Sequence, residues 1–245
     1  MRNIKMILQY EGTRYQGWQK QESTANTIQS KLEAVLSKMC GEKIEVKGSG
    51  RTDGGVHAYG QTANFLTESD MGLAEMMDYV NQYLPEDIGV ISMEEAELRF
   101  HSRLHAKGKV YRYRVLNSSV PHVFDRKYTY CVPESLDLEA MRLAAQQFIG
   151  THDFKAFTSA KKGKKSTVRT ITSIGIDRDG EEVVFTYKGN GFLYHMVRIL
   201  TGTILEVGLS KKRPEEMKEI LESRERQNAG PLVPAQGLAL MKVDY

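Results

Sequence analysis

The stretch NTIQSKLEAVLSKMCGEKIEV, residues 26–46, joins a helix signal to the start of a strand. Asn26 can cap the helix and Gly41 can end it. Ile44 and Val46 alternate with polar neighbours, which predicts a short strand after the helix. The apolar residues between the caps fall on one helical face, and they are Ile28, Leu32, Val35, Leu36 and Met39.

Further strand and helix signals surround this helix in the first half of the chain. Ile4, Met6 and Leu8 alternate with polar residues as in a first strand. A Gly-rich turn and a strand at 59–66 follow the short strand. Apolar spacing from Leu73 then predicts a second helix that Pro85 stops, before a strand at 88–93. The order βαββαβ is that of the split βαβ, or ferredoxin-like, arrangement.

The second half repeats this order with insertions. The predicted strands are 109–116, 170–176, 183–187 and 238–243, and Asp179-Gly180 is a two-residue hairpin signal. One helix is capped by Asp137 and ended by Gly150, a second begins near Leu193, and a short third follows Pro214. The pattern predicts an α+β fold of two ferredoxin-like halves, 1–105 and 106–245. Their antiparallel sheets are expected to join, with a central active-site cleft between the halves.

Composition places the chain among ordinary globular proteins. Its 245 residues are 40% hydrophobic and 27% charged, and 34 basic against 31 acidic residues give a net charge of +3. That balance excludes a histone-like polycation but permits nucleic-acid binding. Two cysteines, Cys40 and Cys131, and an N-terminus without an apolar leader predict a reduced, cytoplasmic chain. His195 and Arg198 interrupt the longest apolar run, so no membrane span is expected.

The basic side chains are clustered rather than dispersed. They form three groups, namely Arg99 to Arg114 without an acid, Lys161, Lys162, Lys164, Lys165 and Arg169, and Lys211 to Arg213. Solvated surface explains any one group, whereas three groups interleaved with tyrosines favour a phosphate-rich partner. The four lysines at 161–165 lie between helix and strand signals, which predicts a loop that orders on such a partner.

The densest chemical signal is GSGRTDGGVHA, residues 48–58. It lacks the spacing of a P-loop and of G-x-G-x-x-G. A plain hairpin loop is one interpretation, because Asp-Gly is a hairpin signal. The other is a site, because four glycines let backbone approach a bulky ligand, and Arg51 favours the ionised form of the Asp53 carboxylate. Such a carboxylate can act as a nucleophile or as a base, and the pattern leaves both open.

Two further side chains are candidates. In a strand, Tyr111 and Tyr113 share one face; core packing is the preferred interpretation for Tyr113, and a tyrosine at a cleft edge can stack on a base. Arg198 lies off the apolar stripe of its predicted helix, with Tyr194 four residues before it on the same side. It must reach water or a carboxylate, and Asp53 can be that partner.

A metal site is not expected. His101 and His105 have the i, i+4 spacing of zinc-binding pairs, but no glutamate lies between them. Their neighbours Arg99, Arg103 and Lys107 are positive and disfavour a cation.

Several motifs together resemble the tRNA pseudouridine synthase A family. They are residues 50–58 (GRTDGGVHA), 10–19 (YEGTRYQGWQ), 111–113 (YRY), 191–198 (GFLYHMVR) and 234–240 (PAQGLAL), in the order of the family and across essentially the whole chain. Glu11 stands where the family pattern has Asp, and Gln236 is a small variation. Neither residue belongs to the chemistry that the resemblance implies.

The resemblance implies an enzyme that isomerises uridine to pseudouridine at positions 38, 39 and 40 of the tRNA anticodon stem-loop. It implies a homodimer without cofactor or metal. Asp53 would be the nucleophile, Tyr111 would contact the target base, Arg198 would pair with Asp53, and Arg51 would help to flip or hold the nucleotide. A non-catalytic RNA-binding protein of two ferredoxin-like halves is the alternative, since it would use the same basic groups without needing Asp53 and Arg198 together.

Overall fold

The computed structural model describes residues 1–160 and 166–245. The chain divides into two compact units, an N-terminal unit of Met1–Lys107 with Ala239–Tyr245, and a C-terminal unit of Gly108–Leu238. The last residues, which the sequence division put in the second half, belong to the N-terminal unit because Ala239 pairs with His57 there.

The N-terminal unit is a small sheet with two helices. Its elements are β1 (Arg2–Tyr10), α1 (Ile28–Cys40), β2 (Lys47–Gly48), β3 (His57–Thr67), α2 (Leu73–Tyr83) and β4 (Ile88–Ala96). Strand β1 pairs antiparallel with both β3 and β4, and β2 pairs antiparallel with β3. Ala239 and Leu240 of the last strand, β10 (Leu238–Asp244), run parallel to the start of β3.

The core of this unit contains the apolar residues that strand alternation and helical spacing predict to be buried. Ile4, Met6 and Leu8 of β1 are fully buried, and so are Leu32 and Leu36 of α1. Burying each such side chain stabilises the fold by roughly 1.5–3 kcal/mol.

Two local predictions in this unit are wrong. The N-cap of α1 is Thr27, whose hydroxyl accepts a hydrogen bond from Ser30 N, whereas the amide of Asn26 donates to the backbone carbonyl of Arg14. The short strand forms at Lys47–Gly48 rather than at Ile44 and Val46, because Val46 N donates instead to the Glu33 carboxylate on α1.

The C-terminal unit is an antiparallel sheet with three helices among its described residues. Its elements are β5 (Gly108–Leu116), β6 (Tyr130–Cys131), α3 (Leu138–Gln146), β7 (Gly150–Asp153), β8 (Val168–Asp179), β9 (Glu182–Gly189), α4 (Met196–Gly208) and α5 (Glu216–Ser223). The strand order is β5-β9-β8-β7, with β6 parallel to the end of β5. The predicted hairpin forms, but its two turn residues are the left-handed Gly180 and Glu181, because Asp179 ends β8 and pairs with Glu182.

In each of the two longer helices of this unit, one boundary differs from the prediction. Helix α3 ends at Gln146, and Gly150, with φ of 113°, begins the unpredicted strand β7. Helix α4 begins at Met196 because His195 adopts the left-handed conformation with φ of 65°. Tyr194 therefore precedes the helix and is not the i, i+4 neighbour of Arg198.

The fold class is mixed α+β with mostly antiparallel strand pairs. Across residues 1–160 and 166–245, no helix has both the length and the apolar character needed to cross a bilayer.

Candidate functional site

The loop that carries Asp53 lies between β2 and β3. Val56 N donates to the Asp53 carbonyl at 3.2 Å, and Gly55 has φ of 81°, so the chain turns tightly just after the carboxylate. Thr52 and Val56 are buried, while the Asp53 side chain is half-buried between them. The loop thus holds a carboxylate at the surface on a backbone that is fixed at both sides.

The opening segment, residues 10–19, clamps this loop from one side. Trp18 N donates to the carbonyl of Thr52 at 3.0 Å, and the hydroxyls of Tyr10 and Thr52 lie 2.7 Å apart. The two backbones approach so closely that glycine is required at Gly17, where φ is 95° and a Cβ would lie 2.6 Å from the Thr52 oxygen. No local pattern of residues predicts this long-range contact.

The strand side of the loop is held by side chains. The Ser49 hydroxyl donates to Gln61 Oε1 at 2.6 Å, and Gln61 Nε2 donates to the carbonyl of Gly50 at 3.0 Å. Gly12 N donates to His57 Nδ1 at 3.0 Å, which ties the start of β3 to the opening segment. Glu11, the departure from the family pattern, accepts a hydrogen bond from Thr13 N at its carboxylate.

Arg51 lies two residues before Asp53 in the same loop and is exposed. Its Nε donates to Gln19 Oε1 at 3.0 Å, which ties the guanidinium to the segment that also clamps the loop. Arg51 and Asp53 are therefore both fixed by the opening segment.

The tyrosines of β5 have different surroundings. Tyr113 is fully buried, as predicted for a core residue, and its hydroxyl donates to the Pro234 carbonyl at 2.7 Å. Burial raises the pKa of Tyr113 well above its usual range, and the charge of Arg198 opposes part of that rise. Tyr111 is 8% exposed and meets Phe192 edge to face, with ring centroids 5.3 Å apart.

Arg198 is half-buried on the first turn of α4. Its Nε donates to the carbonyl of Val233 at 2.8 Å, so the guanidinium is oriented by backbone rather than left as a loose surface group. Arg51 and Asp53 belong to the N-terminal unit, whereas Tyr111 and Arg198 belong to the C-terminal unit. The pairing of Asp53 with Arg198 stays a prediction. Lys161, Lys162, Lys164 and Lys165 lie outside the described residues.

The histidine pair is occupied by backbone. Arg103 N donates to His101 Nδ1 at 3.1 Å, and His101 N donates to His105 Nδ1 at 3.2 Å. Burial, and next the charge of Lys47, lower the pKa of His101 below its usual value. Within the described part of the chain, no three His, Cys, Asp or Glu side chains come together as a metal site would need.

The arrangement around Asp53 can support covalent or acid–base chemistry. A half-buried carboxylate on a rigid Gly-rich loop can attack an electrophilic carbon or remove a proton. Its backbone is held by Trp18, by the close approach of Gly17 and by the turn to Val56, so the backbone that carries the carboxylate is in place before any ligand arrives.

Comparisons with known proteins find one family that matches along most of the chain. A family model described as tRNA pseudouridine synthase matches residues 6–104 and 144–245. The tRNA pseudouridine synthase A of Acetivibrio thermocellus is 46% identical over 245 residues, and each chain is covered completely. The tRNA pseudouridine synthase A 1 of Clostridium tetani is 48% identical, and the tRNA pseudouridine synthase A of Bacillus sp. KSM-64 is 46% identical, both with complete coverage of each chain. This chain therefore belongs to the tRNA pseudouridine synthase family.

Proposed function

We propose that the protein isomerises uridine to pseudouridine in tRNA, at positions 38, 39 and 40 of the anticodon stem-loop, with Asp53 as the nucleophile. The observation that carries the proposal is the Asp53 loop, a half-buried carboxylate on a backbone fixed by Trp18 and Val56. Family membership supports the reaction and the tRNA substrate.

The isomerisation needs a side chain that can act as a nucleophile or as a base. The N1–C1′ bond of the uridine breaks, the uracil turns, and C5 joins C1′ while C5 loses a proton and N1 gains one. No electrons are exchanged with a second reactant, so side chains are sufficient for the chemistry. Asp53 could attack C1′ of the ribose, attack C6 of the uracil, or take a proton to start a glycal route, and all three place it beside the target nucleotide.

The other residues have supporting roles in this proposal. Arg198 would pair with Asp53, Tyr111 would contact the target base, and Arg51 would help to hold the flipped nucleotide. Extruding the base costs a few kcal/mol, which contacts to the base and to phosphates must offset. The bond from Arg198 Nε to Val233 supports an oriented guanidinium, which a bidentate pair with a carboxylate requires.

We also propose how the chain is divided and how it assembles. Two ferredoxin-like halves would divide near residue 105, and the N-terminal order β4-β1-β3 with β2 on the far side of β3 supports the first of them. A cleft between the halves would hold the RNA. A homodimer in the cytoplasm, where tRNA is modified, is the expected form of the enzyme.

The test is incubation of the purified protein with unmodified tRNA, without added metal or nucleotide, followed by quantification of pseudouridine. Pseudouridine at positions 38–40 is expected. Asp53→Asn should abolish the product while tRNA affinity changes less than about threefold, because the shape of the loop is kept. Asp179→Asn, at the exposed hairpin, is the matched control.

The same assay separates the enzyme from its rival. A non-catalytic RNA-binding protein would bind tRNA and yield no pseudouridine in the wild type. Full activity in Asp53→Asn would leave the reaction in place but remove Asp53 as the nucleophile.

A further inference from the structure

A groove of about 200 Å³ opens on the N-terminal unit beside Arg51. Its lining includes Lys47, Arg51, His101 and Arg103, and the acid Glu45 is also among the lining residues. Three permanent cations face one carboxylate, so the groove favours an anion.

The backbone that presents these cations is fixed. Ser102, which is fully buried between His101 and Arg103, donates its hydroxyl to the carbonyl of Lys47. Ser102 N also donates to Asn64 Oδ1 at 2.9 Å on β3. The segment that carries Arg103 is thereby attached to the strand pair that carries Lys47, which makes the groove a built feature of the unit.

A chain of hydrogen bonds from half-buried Gln19 to buried Gln29 and Glu33 holds Arg51 at the other wall. Arg51 Nε donates to Gln19, and Gln19 Nε2 donates to Gln29 Oε1 at 2.9 Å. Gln29 Nε2 donates in turn to Glu33 Oε1 at 2.9 Å, and both Gln29 and Glu33 are 8% exposed. The chain uses only the Nε–H of Arg51 and fixes the plane of its guanidinium, whose terminal nitrogens are further donors for an oxyanion.

We propose that this groove binds a backbone phosphate of the substrate RNA near the target uridine, through Lys47, Arg51 and Arg103. The inference rests on the proposed function, because Arg51 precedes the proposed nucleophile by two residues. A phosphodiester is the anion that RNA presents repeatedly along its chain, and Arg and Lys contacts to it set register without reading sequence. Gripping a phosphate beside the flipped nucleotide would offset part of the cost of unstacking.

The test compares groove variants with a control on the same unit. Lys47→Gln and Arg103→Gln are each paired with Lys43→Gln, since Lys43 is exposed and does not line the groove. The probe is a fluorescently labelled anticodon stem-loop RNA, and its Kd is measured between about 50 and 200 mM salt.

Each groove variant is expected to raise Kd about tenfold and to lower the salt slope by about one. The Lys43→Gln control should keep the wild-type Kd within about twofold. Arg103→Lys, which keeps the charge, should recover most of the affinity and guards against a folding artefact.

If the groove variants bind the RNA as tightly as the Lys43→Gln control does, and the wild type forms pseudouridine, the groove is not the phosphate site and the proposed function stands. Absence of pseudouridine in the wild type would instead count against the function, and loss of affinity in the groove variants would still support the RNA contact. Inorganic phosphate is the second probe. If Arg103→Gln loses phosphate binding but keeps its RNA affinity, the groove is a site for small anions and the inference is overturned.

Discussion

The phenol oxygen of Tyr10 lies 2.7 Å from the hydroxyl of Thr52, the residue directly before Asp53. Both side chains are buried, and burial raises the pKa of Tyr10 well above its usual range, so the phenol stays protonated and able to donate. This hydrogen bond connects the end of β1 to the proposed nucleophile loop.

Removing that bond should affect stability and turnover together. Tyr10→Phe is expected to lower the free energy of unfolding by about 1–2 kcal/mol, because a buried hydroxyl loses its partner. The single-turnover rate should fall while tRNA affinity is kept. Urea unfolding and pseudouridine formation measure the two effects, with the half-exposed Tyr59→Phe as control. An unchanged rate would mean that Thr52 does not transmit order to Asp53.

Two left-handed glycines separate conformational strain from a backbone clash. Gly41→Ala, with φ of 68° and open space around it, should cost about 1–2 kcal/mol. Gly17→Ala, with φ of 95° and a Cβ 2.6 Å from the Thr52 oxygen, should cost clearly more and also impair isomerisation. Denaturant midpoints and activity of the two variants would show this difference; equal losses would argue against the clamp.

Arg198 offers a test of geometry at constant charge. Arg198→Lys keeps the cation but removes the Nε–H that donates to Val233 and the planar fork that a carboxylate pair needs. We expect at least a tenfold fall in kcat with little change in tRNA Kd. Arg178→Lys, an exposed residue on β8, is the control. Wild-type kinetics for Arg198→Lys would remove the residue from the site.

The lowered pKa of His101 predicts a pH dependence of stability. Burial and Lys47 disfavour its charged form in the folded protein, so the unfolded chain takes up its proton at a higher pH. The folded state should therefore lose stability as the pH falls through about 6.5. Urea midpoints at pH 7.5 and 5.5 should differ more for the wild type than for His101→Gln. The same difference in both proteins would assign the pH dependence to other groups.

Periodicity was sufficient to predict most elements of the fold. The β1 alternation and the α1 stripe are local patterns, and burial of their apolar faces follows directly from them. Strand β7 is not predicted, because Gly150–Asp153 is four residues long and has no apolar alternation. The predicted start of α4 lies too early in the chain, because the residues on both sides of His195 are apolar and do not reveal its left-handed backbone.

The site could be predicted only in part for a similar reason. The motif around Asp53 identified the loop, since Gly, Arg and Asp at that spacing suggest chemistry as well as a turn. Its attachment to Tyr10 and Trp18 depends on residues more than thirty positions away, which no local pattern contains. The groove of Lys47 and Arg103 likewise forms only when β2 and the segment after β4 come together.

The parallel pairing of Ala239 and Leu240 with His57 and Ala58 has a consequence for synthesis on the ribosome. The proposed nucleophile loop, residues 48–58, is translated well before β10, the strand that completes its unit. At ordinary elongation rates the wait is on the order of ten seconds. During that time the edge of β3 beside the loop lacks its neighbour, so a nascent chain cannot assemble the complete N-terminal unit before β10 has been translated.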